Sequence, residues 1–167
     1  MPKPVLTKKH YEAFGHYMNE HARLETILHF VIADFLGVPI AMTATVTNDM
    51  SARQKRDAAI ALISYRFADD IKFGPLLQLV EDSARYAKLR DFMAHAMWKA
   101  GRKDGSVKPM IGKGRGTLKV LGQHHNEKDW TYSEIKAETK KMAAHTDEIA
   151  YELQRIGLGK DFRKAPQ

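Results

Sequence analysis

The chain of 167 residues contains no cysteine. This absence excludes disulfide frameworks, thiolate zinc sites and cysteine nucleophiles, and it favours a reducing compartment. Long hydrophobic runs are lacking too, because the most apolar stretch, ILHFVIADFLGVPIAM, is interrupted by His29 and Asp34. The N-terminal stretch is basic but has no apolar core typical of a secretory signal. We therefore expect a cytoplasmic protein without a membrane association.

Acidic residues are scarce in one segment of a chain whose formal net charge is +7. Between positions 99 and 119, Asp104 is the single acid among seven basic residues: Lys99, Arg102, Lys103, Lys108, Lys113, Arg115 and Lys119. Clustered positive charge favours a polyanionic partner over a merely solvated surface. The remaining composition, 44% hydrophobic and 28% charged, is that of an ordinary globular protein. The length fits a single domain over residues 1–167.

Apolar residues that recur every three or four positions predict four amphipathic helices. Ser51 with Gln54 forms a capping box at the start of the second helix, and Ser133 is the expected cap of the last. Pro75 lies in the first turn of the third helix, and the next strong breaker is Gly101. The predicted helices cover about residues 8–36, 51–67, 75–100 and 133–156.

The segment 101–122 has a different pattern, with the short strand-like runs SVKPMI and GTLKVL on either side of GKGR. Glycines in such a connection supply positive φ angles, so we predict a basic β-hairpin. The predicted fold is all-α, a bundle of four to five helices with this hairpin inserted before the last long helix. Residues 158–167 are expected to form a flexible tail.

The stretch LRDFMAHAMW places three polar side chains, Arg90, Asp91 and His95, in an otherwise apolar run. On a helix, Asp91 and His95 lie about 40° apart, within hydrogen-bond reach. One interpretation is a buried hydrogen-bonded pair, with Arg90 extending to solvent. The other is a cleft that a helix of a second copy helps to form, since alanines share this face. The opposite side is expected to pack on the core; it comprises Leu89, Phe92, Met93 and Ala96.

Arg90, Asp91 and His95 form the pattern arginine, polar residue, three others, histidine, late in a long helix. This pattern resembles the HEPN (higher eukaryotes and prokaryotes nucleotide-binding) superfamily of helical ribonucleases, and the order of helices over roughly residues 8–156 is similar to it. The resemblance implies an HEPN-like homodimer that cleaves RNA without a metal or other cofactor. It also implies His95 as the acid–base group, Arg90 as the phosphate-binding group and Asp91 as the orienting partner.

Two residues depart from the family pattern: Ala96 stands where many members have glycine, and Met97 where some have tyrosine. The implied chemistry suits the residue types, because an imidazole can take the proton of a ribose 2′-OH and a guanidinium can bind the phosphoryl oxygens. We therefore expect an endoribonuclease of the toxin or defence type, for which an antitoxin or other regulatory partner is expected. The alternatives are a non-catalytic RNA- or nucleotide-binding relative and a purely structural dimerisation module.

The basic segment is the predicted RNA-binding surface beside the motif. Its candidate residues are Lys99, Arg102, Lys103, Lys113 and Arg115, and a solvated turn is the alternative. His124, His125, Glu127 and Asp129 have metal-ligand side chains, but adjacent histidines in one loop are more typical of a surface, so we expect no metal. His21 is expected to be a core histidine, and Trp98 and Trp130 are expected to cover the core where the hairpin joins the bundle.

Overall fold

The computed structural model describes residues 5–67, 70–110 and 128–159. These residues are mostly helical and include a small antiparallel sheet, so the expected predominance of α-helix is confirmed. Two single-turn 3₁₀ segments, Ile71–Phe73 and Ser83–Tyr86, precede α4 and α5. The helices are α1 (Lys8–Leu36), α2 (Ile40–Thr47), α3 (Ala52–Phe67), α4 (Gly74–Asp82), α5 (Ala87–His95) and α6 (Tyr132–Arg155).

The described residues fall into two compact units. Of the described residues, the first unit contains 5–19, 88–110 and 128–140, and the second contains 20–67, 70–87 and 141–159. The long helices α1 and α6 therefore contribute residues to both units.

The first unit contains the sheet, which has the order β1 (Met97–Ala100), β2 (Ser106–Met110) and β3 (Trp130–Thr131). Both pairings are antiparallel, and Val107 of β2 lies opposite Ala100 on one side and Trp130 on the other. The buried cluster beneath this sheet consists of Ala13, Phe14, Val107 and Ile135. Trp98 and Trp130 pack against the cluster, which confirms their expected position over the core.

The prediction that the third helix continues to Ala100 is wrong. The helix is interrupted by the 3₁₀ turn Ser83–Tyr86, and α5 ends at His95. Its last backbone bond runs from the Ala96 amide to the Phe92 carbonyl, after which the chain becomes strand β1. Pairing with β2 satisfies the backbone of β1 and turns Trp98 toward Phe14, so tertiary contacts override a locally helical sequence.

The hairpin prediction is confirmed for its first strand alone. The run SVKPM forms β2, but its partner is β1, across a turn at residues 101–105. The expected partner strand, GTLKVL, lies outside the described residues, as does most of the predicted tail. The last helix starts one residue earlier than predicted, and its cap is Thr131 rather than Ser133. Thr131 and Glu134 form the capping box, with the Thr131 amide donating to Glu134 Oε2 at 2.8 Å.

The second unit contains the middle helices, packed on buried residues such as Val31, Ile63 and Leu76. The capping box that begins α3 is confirmed, because the Ser51 amide donates to Gln54 Oε1 at 2.8 Å. Residues 40–47, which lie outside the four predicted helices, form α2. Among the described residues, no single helix is long and apolar enough to cross a membrane; one bent pair, α1 with α2 at 115°, passes the length and composition criteria together.

Candidate functional site

Helix α5 presents two different sides. Leu89 and Phe92 are buried, and Met93 is partly buried against the core of the first unit, as expected for the apolar side. Asp91 and His95 are exposed, and Arg90 is half-buried. The polar side chains of the motif therefore reach solvent while the apolar ones hold the helix in place.

Asp91 contacts Arg90 rather than His95. Arg90 Nη1 donates to Asp91 Oδ1 at 3.1 Å, and the Asp91 side chain is 62% exposed. No hydrogen bond joins Asp91 to His95 in the part of the chain that is described. The interpretation of these residues as a buried hydrogen-bonded network is therefore wrong for this chain.

His95 is the last residue of α5, immediately before the sheet. Helix and strand are separated by Ala96 alone, so the imidazole lies at the junction of two rigid elements. Arg90 is five residues earlier, about one and a half turns along the same helix. The structure thus presents an acid–base side chain and a guanidinium to solvent from one short helix.

Strand β1 carries the first predicted RNA-binding residue, Lys99, which is exposed. Its cross-strand partner in the register is Lys108, which is 8% exposed. Lys108 therefore does not add to the accessible positive charge, although it belongs to the basic segment of the sequence.

The turn between β1 and β2 carries the next two predicted residues, Arg102 and Lys103, both exposed. Ser106 closes the turn: its carbonyl accepts from the Gly101 amide at 2.8 Å and its Oγ donates to the Lys103 carbonyl at 2.7 Å. Gly105 has a φ of +64°, a conformation that favours glycine. The two cations are therefore displayed on a tightly bonded turn.

Asp129 fastens this turn from the segment that leads into β3. Its Oδ2 accepts from the Arg102 amide at 2.8 Å and from Arg102 Nε at 3.4 Å. A Cβ on Gly101 would lie 3.2 Å from Asp129 Cγ and 2.2 Å from Ser106 Oγ, so only glycine leaves room for this arrangement. The donated Arg102 amide and the guanidinium lower the pKa of Asp129, which keeps the carboxylate ionised.

Glu134 lies near two basic side chains of the same surface. Its Oε1 is 3.9 Å from Lys103 Nζ and 3.6 Å from Lys128 Nζ, while its Oε2 accepts the capping bond from Thr131. That backbone bond is the main cause of the lowered pKa of Glu134, and the two lysines add to it. Glu134 thus caps α6 and partly offsets the charge of two cations.

Several predicted residues cannot be placed in this site. Lys113 and Arg115 lie outside the described residues, and so do His124, His125 and Glu127. Asp129, the fourth side chain of the conceivable metal set, binds the turn instead. Within residues 5–67, 70–110 and 128–159, no group of three or more histidine, aspartate or glutamate side chains is arranged to hold a metal.

The second unit contains its own cluster of charged groups on α1 and α3. Glu25 pairs with His21 Nδ1 at 3.2 Å and with Lys55 Nζ at 2.9 Å, and both partners are buried. The hydrogen bond from His21 and the Lys55 ammonium lower the pKa of Glu25 to about 2. His21 is thus a core histidine with a partner, as expected, and this cluster stabilises its own unit.

The contribution of Asp129 and Gly101 could not be read from the sequence. Asp129 lies 27 residues after Arg102, and no local spacing connects the two. Gly101 was interpreted as a helix breaker, whereas its role is to leave space for two side chains.

Comparisons with protein-family models, with curated proteins and with solved structures each find no match.

Proposed function

We propose that this chain is an HEPN-like, metal-independent endoribonuclease of the toxin or defence type, acting as a homodimer. The observation that carries the proposal is the exposure of His95 and the accessibility of Arg90 on α5, next to exposed cations of β1 and the following turn. A side chain kept only for stability has no need to reach solvent there. Exposed cations beside it suit a polyanionic substrate.

The proposed reaction is an intramolecular transfer at one phosphodiester. His95 removes the proton of a ribose 2′-OH, the 2′ oxygen attacks the adjacent phosphorus, and the bond to the 5′ oxygen breaks. A protonated imidazole supplies the proton of the leaving 5′-OH, and the products are a 2′,3′-cyclic phosphate and a 5′-hydroxyl. Arg90 offers planar donors to the phosphoryl oxygens as their negative charge increases.

Asp91 acts on Arg90 in this proposal, because that is the side chain it contacts. The contact restricts the guanidinium, which otherwise has many rotamers, and leaves other donors of the fork for phosphate. The second copy of a homodimer supplies a second motif. An antitoxin or another regulatory partner would restrain such an activity in the cell.

The test is incubation of labelled RNA in EDTA with wild-type protein and with His95→Ala. We expect cleavage by the wild type alone, with 2′,3′-cyclic phosphate ends. His16→Ala is the matched control, because His16 is also an exposed histidine on a helix, and it should cleave like the wild type. Cleavage of an all-deoxy substrate, or full activity of His95→Ala, would contradict the proposal.

A second candidate is RNA binding without cleavage. The observation that favours it is the ion pair of Arg90 with Asp91, which leaves His95 without the acidic partner that the motif suggested. This candidate predicts salt-dependent RNA binding and no strand breaks by either protein. Sedimentation of the same samples tests the homodimer independently of either activity.

A further inference from the structure

Arg102, in the turn between β1 and β2, is bonded to Asp129 through both its backbone amide and its side chain. Asp129 is 5% exposed, whereas the Arg102 side chain is 80% exposed. The Asp129 carboxylate accepts hydrogen bonds from Nε of the guanidinium and from the backbone amide of Arg102. The two terminal nitrogens of Arg102 make no hydrogen bond within the part of the chain that is described, so they face outward.

A buried carboxylate is an energetically unfavourable hydrogen-bond acceptor for a turn. The second oxygen of Asp129, Oδ1, is buried and has no hydrogen-bond partner among the described residues. Burying a charged group with an unsatisfied oxygen is unfavourable, and a neutral asparagine oxygen would accept the Arg102 amide equally well. The Arg102 guanidinium and the buried Lys108 ammonium both favour a carboxylate over an amide at this position, and the contact with Arg102 Nε also restricts the orientation of the guanidinium.

We propose that Arg102 binds a phosphate of the RNA backbone other than the scissile one, and that Asp129 is the positioning residue for its guanidinium. The inference rests on the proposed function, because it takes RNA as the ligand. The four residues of β1 separate this turn from α5, about 13 Å at about 3.3 Å per residue. A phosphate held at the turn is accordingly distinct from one held beside His95.

Asp129→Asn distinguishes positioning of Arg102 from a simple effect of charge, because the two predict opposite changes in the affinity for RNA. Removing a negative charge beside RNA should tighten binding if Asp129 only adds to the local field. Asparagine keeps an oxygen acceptor but loses the charge that strengthens the bond to Arg102 Nε, so weaker positioning of Arg102 should weaken binding, and we expect the Kd to rise about fivefold. Binding is measured with labelled single-stranded RNA in a His95→Ala background, so that the RNA stays intact.

Glu134→Gln is the matched control. It also removes one negative charge near Lys103 and Lys128, and glutamine keeps the capping box with Thr131. Because Glu134 approaches these flexible ammonium groups at 3.6 to 3.9 Å and does not contact Arg102, we expect the Kd to fall about twofold. Equal tightening by Asp129→Asn and Glu134→Gln would overturn the positioning role.

The effect of Asp129 must pass through Arg102. In an Arg102→Ala background, Asp129→Asn should no longer weaken binding. Arg102→Ala itself should reduce the slope of log affinity against log salt concentration by about 0.7, the value for one phosphate contact on a single strand. Arg102→Lys keeps the charge and the backbone amide but lacks the planar fork, so we expect it to bind more weakly than the wild type while keeping the salt dependence that Arg102→Ala loses. Wild-type affinity for Arg102→Lys overturns the proposal, even if Asp129→Asn proves too unstable to measure.

The outcomes separate this inference from the proposed function. RNA that is bound but never cleaved, together with weaker binding by Asp129→Asn, removes the ribonuclease and keeps the phosphate site. Cleavage by the wild type with tighter binding by Asp129→Asn keeps the ribonuclease and removes the positioning role. Absence of RNA binding by the wild type and by His95→Ala overturns both.

Discussion

The indole of Trp98 packs against the phenyl ring of Phe14, with ring centroids 4.8 Å apart and planes inclined by 40°. Trp98 lies on β1 and Phe14 on α1, within one unit. If α5 continued beyond His95, residue 98 would lie on the exposed side of the helix with Asp91. The contact between Trp98 and Phe14 therefore requires that the helix end before residue 98. Because α5 ends at His95, that histidine lies at the junction with the sheet.

Trp98→Ala should destabilise the protein strongly. Truncation removes a large partly buried ring from the cluster around Phe14 and leaves space that the backbone of β1 cannot fill, so we expect a loss of about 3 kcal/mol in the free energy of unfolding. Met97→Ala, at the neighbouring position that is 65% exposed, should change it by less than about 0.5 kcal/mol. Urea unfolding measures both, and similar losses would contradict this account of the junction.

Substitution by alanine should have opposite effects on stability at two glycines, Gly101 and Gly15. Gly101→Ala places a methyl group against Ser106 and Asp129, and we expect a loss of about 1–3 kcal/mol from overpacking. Gly15, within α1, has nothing within 4 Å of an added Cβ, so Gly15→Ala should stabilise the protein by about 0.5–1 kcal/mol. Thermal unfolding checks the two signs. A neutral Gly101→Ala would mean that the turn does not depend on the Asp129 contact.

The long amphipathic helices could be predicted because their patterns extend over many turns. The stripes of α1 and α6 and the capping box at Ser51 depend on nearby residues only, and the structure confirms them. The end of α5 could not be predicted, because the residues after His95 contain no proline or glycine before Gly101. What ends the helix is pairing with β2, which involves residues about ten positions later.

The candidate site was predictable as a motif but not as a set of contacts. Spacing placed Asp91 within reach of His95, yet the acid pairs with Arg90, its immediate neighbour. Likewise the charge cluster was visible in the sequence, but burial removes Lys108 from it and Asp129 restrains Arg102. Such choices depend on side-chain packing between distant segments, which periodicity does not encode.

Arg90 and Asp91 should differ in their effect on cleavage. Under the proposed function, Arg90→Ala removes stabilisation of the phosphoryl group and should lower kcat by about 10²–10³. Asp91→Asn keeps a hydrogen-bonding oxygen beside Arg90 and has no contact with His95, so we expect a loss of less than about tenfold. Both variants change a single ion pair in which Asp91 is exposed and Arg90 is half-buried, so each should unfold within about 1 kcal/mol of the wild type. A larger loss for Asp91→Asn than for Arg90→Ala would instead support a role in orienting His95.

Glu25 should link the stability of the second unit to acidic pH. Its folded-state pKa is about 2, below the ordinary value of 4.5, because it accepts from His21 and Lys55. The stabilisation is therefore complete above pH 4.5 and is lost as the pH falls through the folded-state pKa of about 2, below which the carboxylate is protonated in both states. Lys55, buried beside it, would lose its counter-ion in the same range.

Glu25→Gln should lower the free energy of unfolding at pH 7 by about 2–3 kcal/mol, because it leaves the Lys55 charge buried without an opposite charge. The variant should also lose less stability than the wild type between pH 4.5 and 2, since one depressed carboxylate is gone. Glu20→Gln is the control: Glu20 pairs at 3.2 Å with Arg23, which is exposed, so about 0.5 kcal/mol is expected. Urea unfolding across this pH range measures both variants, and parallel pH curves for Glu25→Gln and the wild type would contradict the linkage.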